Sequence, residues 1–269
     1  QGTTWKLAQG KAFAIDGTTL KVPATSSLVG DTLTATLGGF TRPYLLQAVS
    51  PVPLAGSGTQ ADPYQIHSAG EWNAFAQYMA ATTNPFEGQY VKIMNDIDFG
   101  DTTFVAIAYD GLTSFNGTLD GARHTVKGIK YAPKASYQGA IALIGAKATV
   151  NDLTLEGTVT SAKTYTGGFS GKMKGVLNNG VNNVAVTTTA ASTGGFAAYA
   201  YKNAVFNNCE NKAAVSSSKD AVAGFAANAE DDVYFNNSVN SGKVAYTGTS
   251  TSARNVAGFV AVGNGSHYY

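Results

Sequence analysis

A four-residue phrase recurs in the second half of the chain and limits what it can fold into. It reads Val150-Asn151-Asp152-Leu153, Leu177-Asn178-Asn179-Gly180, Phe206-Asn207-Asn208-Cys209 and Phe235-Asn236-Asn237-Ser238, at intervals of 27, 29 and 29 residues. A second phrase keeps step with it: Gly168-Phe169, Gly195-Phe196, Gly224-Phe225 and Gly258-Phe259, at 27, 29 and 34. A fixed period in this range marks stacked supersecondary units. Helical repeats would need amphipathic runs of roughly ten residues or more. Residues 139–262 offer instead short apolar pieces such as Val184-Ala185-Val186 and Val256-Ala257-Gly258-Phe259-Val260, separated by Gly, Asn, Ser and Thr. Those separators are turn residues. Three short strands and three turns make one coil of a parallel β-helix, and the preference for right-handed crossovers sets its expected hand. The expected fold is all-β: a right-handed parallel β-helix with one large residue per coil (Phe169, Phe196, Phe225, Phe259) filling its bore.

Stacking assigns the asparagines to columns. Residues one period apart lie about 4.8 Å from each other. Asn151, Asn178, Asn207 and Asn236 form one column; Asp152, Asn179, Asn208 and Asn237 the next; Asn182, Asn211 and Asn240 a third. Asn tolerates the left-handed backbone of a tight turn, and its amide bonds to an identical amide above and below. The structural ladder is the expected role. A polar ladder that binds sugar or ice is the functional alternative.

Residues 1–50 have another texture. Asp31-Thr32-Leu33-Thr34-Ala35-Thr36-Leu37 alternates strictly, which places Leu33, Ala35 and Leu37 on a core face and the threonines in water. Trp5 and Leu7, Phe13 and Ile15, and Leu20 and Val22 mark further strands, punctuated by Gly10, Gly17 and Gly38-Gly39. A small antiparallel β unit is expected at 1–50, a linker at 51–63 and the β-helix at 64–269. Such a small unit is marginal alone. The helix expected over 68–79 opens on a capping box, Ser68 with Glu71, and aligns Trp72, Phe75, Ala76 and Met79 on one face. It is expected to cap the solenoid's N-terminal end, where bare strands and core would otherwise be exposed.

These residues carry a resemblance. Gly56-Ser57-Gly58-Thr59, Asp62-Pro63-Tyr64-Gln65-Ile66, the helix, then Tyr90-Val91-Lys92-Ile93 and Asp96-Ile97-Asp98 resemble the opening of GLUG-motif surface proteins of the Bacteroidetes. Phe115-Asn116-Gly117-Thr118-Leu119-Asp120-Gly121 with His124-Thr125-Val126-Lys127-Gly128-Ile129 is similar to a phrase of that family, and Ala148 to Leu155 resembles its first coil. The likeness spans about residues 56–262 and departs in the later coils, where Gly-Phe replaces the family's Gly-Leu-Val-Gly. It implies an adhesin-like β-helix on secreted or outer-surface proteins and no particular catalytic residues. Asp31-Thr32-Leu33 and Asp101-Thr102-Thr103 fit a short O-glycosylation pattern of the same bacteria, at Thr32 and Thr102. The sequon at Asn116 belongs to a turn phrase.

Composition narrows the function. Charged residues are 13% and the formal net charge is +1, so no basic surface for nucleic acid is expected. The single cysteine, Cys209, excludes an intrachain disulfide and is expected to pack as a small apolar residue. No apolar run is long enough for a membrane span, so no direct membrane insertion is expected, and the composition suits a secreted or surface protein. Gln1 reads as a mature N-terminus or a fragment boundary.

Parallel β-helices also carry polysaccharide lyases and glycosidases, which need two or more carboxylates on one face with a calcium ion or a basic residue for proton abstraction, or a spaced acid pair for hydrolysis. Asp96 and Asp98 alternate onto one face, with Asp101 beyond a glycine; the three would hold a calcium ion through oxygen ligands or cap turns under the first coil. Glu230-Asp231-Asp232 stacks over Lys202 and Asn203, with a Lys202–Asp231 pair expected. His67, His124 and His267 fall in unrelated segments, His124 hydrogen-bonding a turn. No catalytic set stands out, and no cofactor other than that calcium is expected. The reading is a non-catalytic extracellular structural or adhesive module of a bacterial surface protein or filament. A carbohydrate-active enzyme or carbohydrate-binding module is the alternative. Expected partners are host or bacterial glycans, and either further copies joined end to end or a longer parent chain.

Overall fold

The structure, a computed structural model, describes residues 3–8, 14–16, 19–21, 29–48, 52–250 and 254–269. The chain forms two compact units, Gln1–Val52 and Pro53–Tyr269. In the first, strand Val29–Leu37 pairs antiparallel with Thr4–Leu7 on one side and Phe40–Ala48 on the other. A separate hairpin joins Ala14–Asp16 to Thr19–Lys21. Phe13, Val22, Gly10, Gly17 and Gln1 lie outside the described residues. The alternation expected in the long strand is absent from its burial: residues 32–36 are all half-buried, and Leu37 and Trp5 are 52% and 49% exposed. Among the described residues neither face of this three-stranded sheet is buried, so the period-2 pattern has no core to read against.

The second unit is a parallel β-solenoid. Its first wall has eight strands in strict chain order: Tyr64–Ile66, Tyr90–Ile93, Thr118–Asp120, Thr149–Asn151, Val176–Asn178, Val205–Asn207, Tyr234–Asn236 and His267–Tyr268. The second wall stacks Ile97–Asp98, Thr125–Tyr131, Thr154–Ser161 and Val181–Thr188, then splits in each later coil into two short pieces. A narrow third wall (Thr166–Gly167, Thr193–Gly194, Val222–Ala223, Val256–Ala257) turns at once into the fourth, Ile141–Ile144, Ser170–Met173, Ala197–Ala200, Ala226–Ala229 and Val260–Gly263. Every pairing along these walls is parallel, and the registers match Asn151, Asn178, Asn207 and Asn236 one above another. Part of the expected linker is folded onto this unit. Ala55 bridges to Gln65, and the backbone N–H of Tyr90 donates to the Gly58 carbonyl.

The bore is filled by two columns of rings. Phe169, Phe196, Phe225 and Phe259 stack face to face at 4.7, 4.8 and 4.7 Å. Phe206, Phe235 and Tyr268 form a second stack at 5.2 and 5.4 Å. The two columns meet edge to face, as between Phe206 and Phe225 at 5.3 Å and 84°, a geometry favoured by the ring quadrupole.

The helix runs from Ala69 to Thr82, longer than expected, and buries Trp72, Phe75, Ala76 and Met79 against the solenoid's first coils. Trp72 packs on Phe99 and Phe104, Phe75 on Phe86 and Phe115, and the Trp72 indole N–H donates to the Val105 carbonyl. The capping box differs in one bond. Ser68 Oγ accepts from the Glu71 N–H, but the Glu71 carboxylate reaches past the cap to the His67 N–H at 2.6 Å.

Candidate binding wall

The three asparagine columns do different work. In the first, Asn178 donates to Asn151, Asn207 to Asn178 and Asn236 to Asn207, through side-chain amides at 2.8, 2.8 and 2.7 Å. These residues end strands and are half-buried. Only the second column is left-handed: Asp152, Asn179, Asn208 and Asn237 have φ of 51°, 54°, 53° and 48°. There Asn179 donates to Asp152 and Asn208 to Asn179. The third column lies inside the solenoid and runs the opposite way, Asn182 donating to Asn211 and Asn211 to Asn240, each at 2.7 Å. Its first acceptor, Asn182 Oδ1, has no partner, because the residue in register before it is Leu155. This inner ladder crowds three of the four glycines of the second phrase. A Cβ on Gly168, Gly195 or Gly224 would fall within 2.7, 2.6 and 2.2 Å of the amides of Asn182, Asn211 and Asn240.

The carboxylates are dispersed and engaged. Asp96 accepts from the Thr125 N–H and His124 Nδ1, which hold its pKa below the ordinary value, the backbone bond contributing most. Asp98 is held down by the Gly100 N–H and then by Lys127, whose ammonium lies 3.4 Å away. Asp101 is exposed and joins neither. Among the described residues no three His, Cys, Asp or Glu side chains gather as a metal-binding group. Asp96 and Asp98 are engaged by turn and inter-coil donors, and Lys127 lies beside Asp98. Lys202 pairs with Asp232 rather than Asp231, at 3.3 Å, and His267 flanks the same carboxylate. His67 sits beside Glu71 at the helix start. The Asn116 amide fills the space beside Gly145 and accepts from the Lys147 N–H, which is a turn role. Thr102 is exposed in a turn, whereas Thr32 is half-buried in the long N-terminal strand. Cys209 is buried, its thiol pushed up to about 12 by burial.

One group of side chains went unread in the sequence. On the fourth wall the outward residues Leu143, Lys172, Tyr199, Asn228 and Val262 lie in register. Around Lys172 and Tyr199 gather Tyr137 and Tyr165 from the adjoining corner, and Lys174 and Tyr201 from the wall's far edge. Tyr137 and Tyr165 stack at 4.3 Å and 2°, Tyr165 meets Tyr199 at 5.6 Å, and Tyr199 meets Tyr201 at 4.6 Å. Lys172 Nζ lies 5.3 Å from the Tyr137 ring centre and 4.5 Å from that of Tyr201, and Lys174 Nζ is also 4.5 Å from Tyr201. The Tyr199 hydroxyl donates to Glu230, whose other oxygen accepts from the Lys202 N–H. Burial, and then that carboxylate, push the Tyr199 hydroxyl up to about 12, and burial raises Tyr137 as well. Both phenols therefore stay protonated donors at neutral pH. Tyr137 and Tyr165 adopt left-handed φ of 59°, shared by Ser192 and Ala221 at the same corner of later coils. The corner is a property of the coil, and the tyrosines are what two coils place on it. The same period that aligned the asparagines, applied to Tyr and Lys, finds Lys172 and Lys174 one coil before Tyr199 and Tyr201.

No protein-family model, curated protein or solved structure matches the chain.

Proposed function

We propose that this chain is a non-catalytic structural or adhesive module of a secreted or cell-surface bacterial protein, and that it holds glycan on the fourth wall of its solenoid. The carrying observation is the six-residue Tyr/Lys surface contributed by successive coils. Its rings and ammonium groups are set against each other on stacked, register-matched coils. Sugars combine apolar C–H faces with hydroxyls, and a surface of ring faces, phenol donors and ammonium groups matches both. The resemblance to GLUG-motif surface proteins supports the extracellular setting. No helix among the described residues is long and apolar enough to cross a membrane. The exposed rings at the C-terminal end of the bore support a further coil stacking there, from a longer parent chain or another copy.

In the enzymatic alternative a glycosidase uses a carboxyl group raised toward neutrality or a spaced carboxylate pair, and a lyase uses a basic residue beside carboxylates that hold the uronate. Asp96, Asp98 and Asp220 are all shifted the other way by backbone N–H donors. The test is retention of the purified chain on immobilised glycans, with product release followed in parallel. Binding without new reducing ends or unsaturated sugars is the expected result. Reproducible turnover that disappears in Asp96→Ala overturns the reading.

A further inference from the structure

Lys172 and Lys174 differ from the ion-paired lysines of the solenoid. Lys92, Lys127, Lys147, Lys202 and Lys212 each face a carboxylate. Among the described residues no ion pair neutralises Lys172 or Lys174. Instead both ammonium groups lie 4.5 Å from the centre of one ring, Tyr201. Two like charges brought to the same ring repel, and the ring quadrupole offsets only part of that cost. Glu230, the acid that reaches this cluster through Tyr199, is already engaged by the Tyr199 hydroxyl and the Lys202 N–H. Two cations set over one ring beside further ring faces form a positively charged surface that an anionic group complements.

We propose that Lys172 and Lys174 receive the acid group of an anionic polysaccharide, a uronate or sulfated sugar chain, whose ring lies along Tyr137, Tyr165, Tyr199 and Tyr201. This rests on the glycan-binding reading above and names the ligand's charge. An extended peptide is the poorer occupant, because the patch lies on a wall's face, where backbone groups are already paired to neighbouring coils and no free edge invites strand addition. A nucleic acid would need a broader run of cations to neutralise its phosphates. The cluster's span of about three coils, roughly 10 Å between outer strands, suits a short oligosaccharide. One acid group would meet the lysines while its neighbours lie on the rings.

The experiment measures binding of the full 269-residue chain to three oligosaccharide sets of matched length: oligouronates, sulfated oligosaccharides and neutral oligoglucosides. Titration calorimetry is run at low and high salt, on the wild type and the double variant Lys172→Gln/Lys174→Gln. Thermal unfolding confirms that the variant folds. The expected result is preference for one or both acidic sets, weakened at least tenfold by the double substitution and by high salt. Comparable binding of the neutral set, unchanged in the variant, overturns the anionic proposal and leaves the adhesive reading standing. Acidic binding that survives the double substitution means that the charge is held elsewhere and also overturns it. Binding to none of the sets overturns the glycan reading and this proposal together. A single Tyr165→Ala variant separates the components: it should weaken uronate binding without removing its salt dependence.

Discussion

Asn207 occupies the middle of the outer amide ladder, donating to Asn178 and accepting from Asn236. Replacing it by Leu removes both bonds and leaves one donor and one acceptor without partners, at a cost of about 1–3 kcal/mol. Chemical denaturation should show the midpoint shift with an unchanged slope. The glycines make a sharper contrast. A Cβ on Gly195 would stand 2.2 Å from the Gly224 carbonyl oxygen and 2.6 Å from the Asn211 amide, whereas at Gly258 nothing lies within 4 Å. Gly195→Ala should therefore lower stability by roughly 1–3 kcal/mol or more, as overpacking does. Gly258→Ala should leave the melting temperature unchanged. Equal responses from the two variants would refute the inner ladder as the constraint on Gly195 in the repeated Gly-Phe phrase. That phrase was legible as a period, but this crowding was not. A sequence shows that Gly and Asn recur, and only the register brings Asn211 against Gly195.

At the scale of elements, neighbouring coils are tied by backbone ladders and by a few side chains that reach across. Asp96, just before strand Ile97–Asp98, accepts from the Thr125 N–H of the following coil, and Asp98 engages Lys127 there. Both carboxyls sit below their ordinary value of 3.8 in the fold. A depressed folded-state pKa gives stability that is present above the unfolded pKa and lost as pH falls through the folded one. The melting temperature should thus be flat with respect to these groups from pH 8 to about 5 and fall below about pH 4. In Asp96→Asn/Asp98→Asn the acid limb should be shallower, and an unaltered limb counts against these ties. The same two residues show what was hidden from the sequence. Their spacing placed them together beside a strand, which suits calcium and turn capping equally. What the spacing could not show is Lys127, which lies on the adjoining strand of the next coil and pairs with Asp98. The tyrosine–lysine wall was hidden for a related reason. Tyr137, Lys172 and Tyr199 belong to different coils, and their phrases share no common wording. The cap helix was readable because all its signals, Ser68 through Met79, are local.

For the whole molecule, the two ends of the solenoid differ. The first coils carry the helix, with Trp72, Phe75 and Met79 fully buried. At the other end the two ring columns finish on Phe259 and Tyr268. Phe259 is half-buried and Tyr268 is 54% exposed, around an open depression of about 620 Å³ lined by Phe235, Ala257, Val260 and Tyr269 among others. Stacked rings at 4.7 Å leave one face of the last ring without a partner, and apolar surface of this kind favours association. In a solution of the isolated chain another copy can supply that partner. Sedimentation velocity should therefore show reversible association as concentration rises. Strengthening in ammonium sulfate is expected, because excluded salts favour apolar burial. Tyr268→Lys places a charge in the contact while altering only the last strand, and it should hold the chain monomeric. An assembly that persists in that variant would locate the contact elsewhere on the molecule. A wild-type chain that stays monomeric at every concentration would mean that the open end is too small to drive pairing by itself.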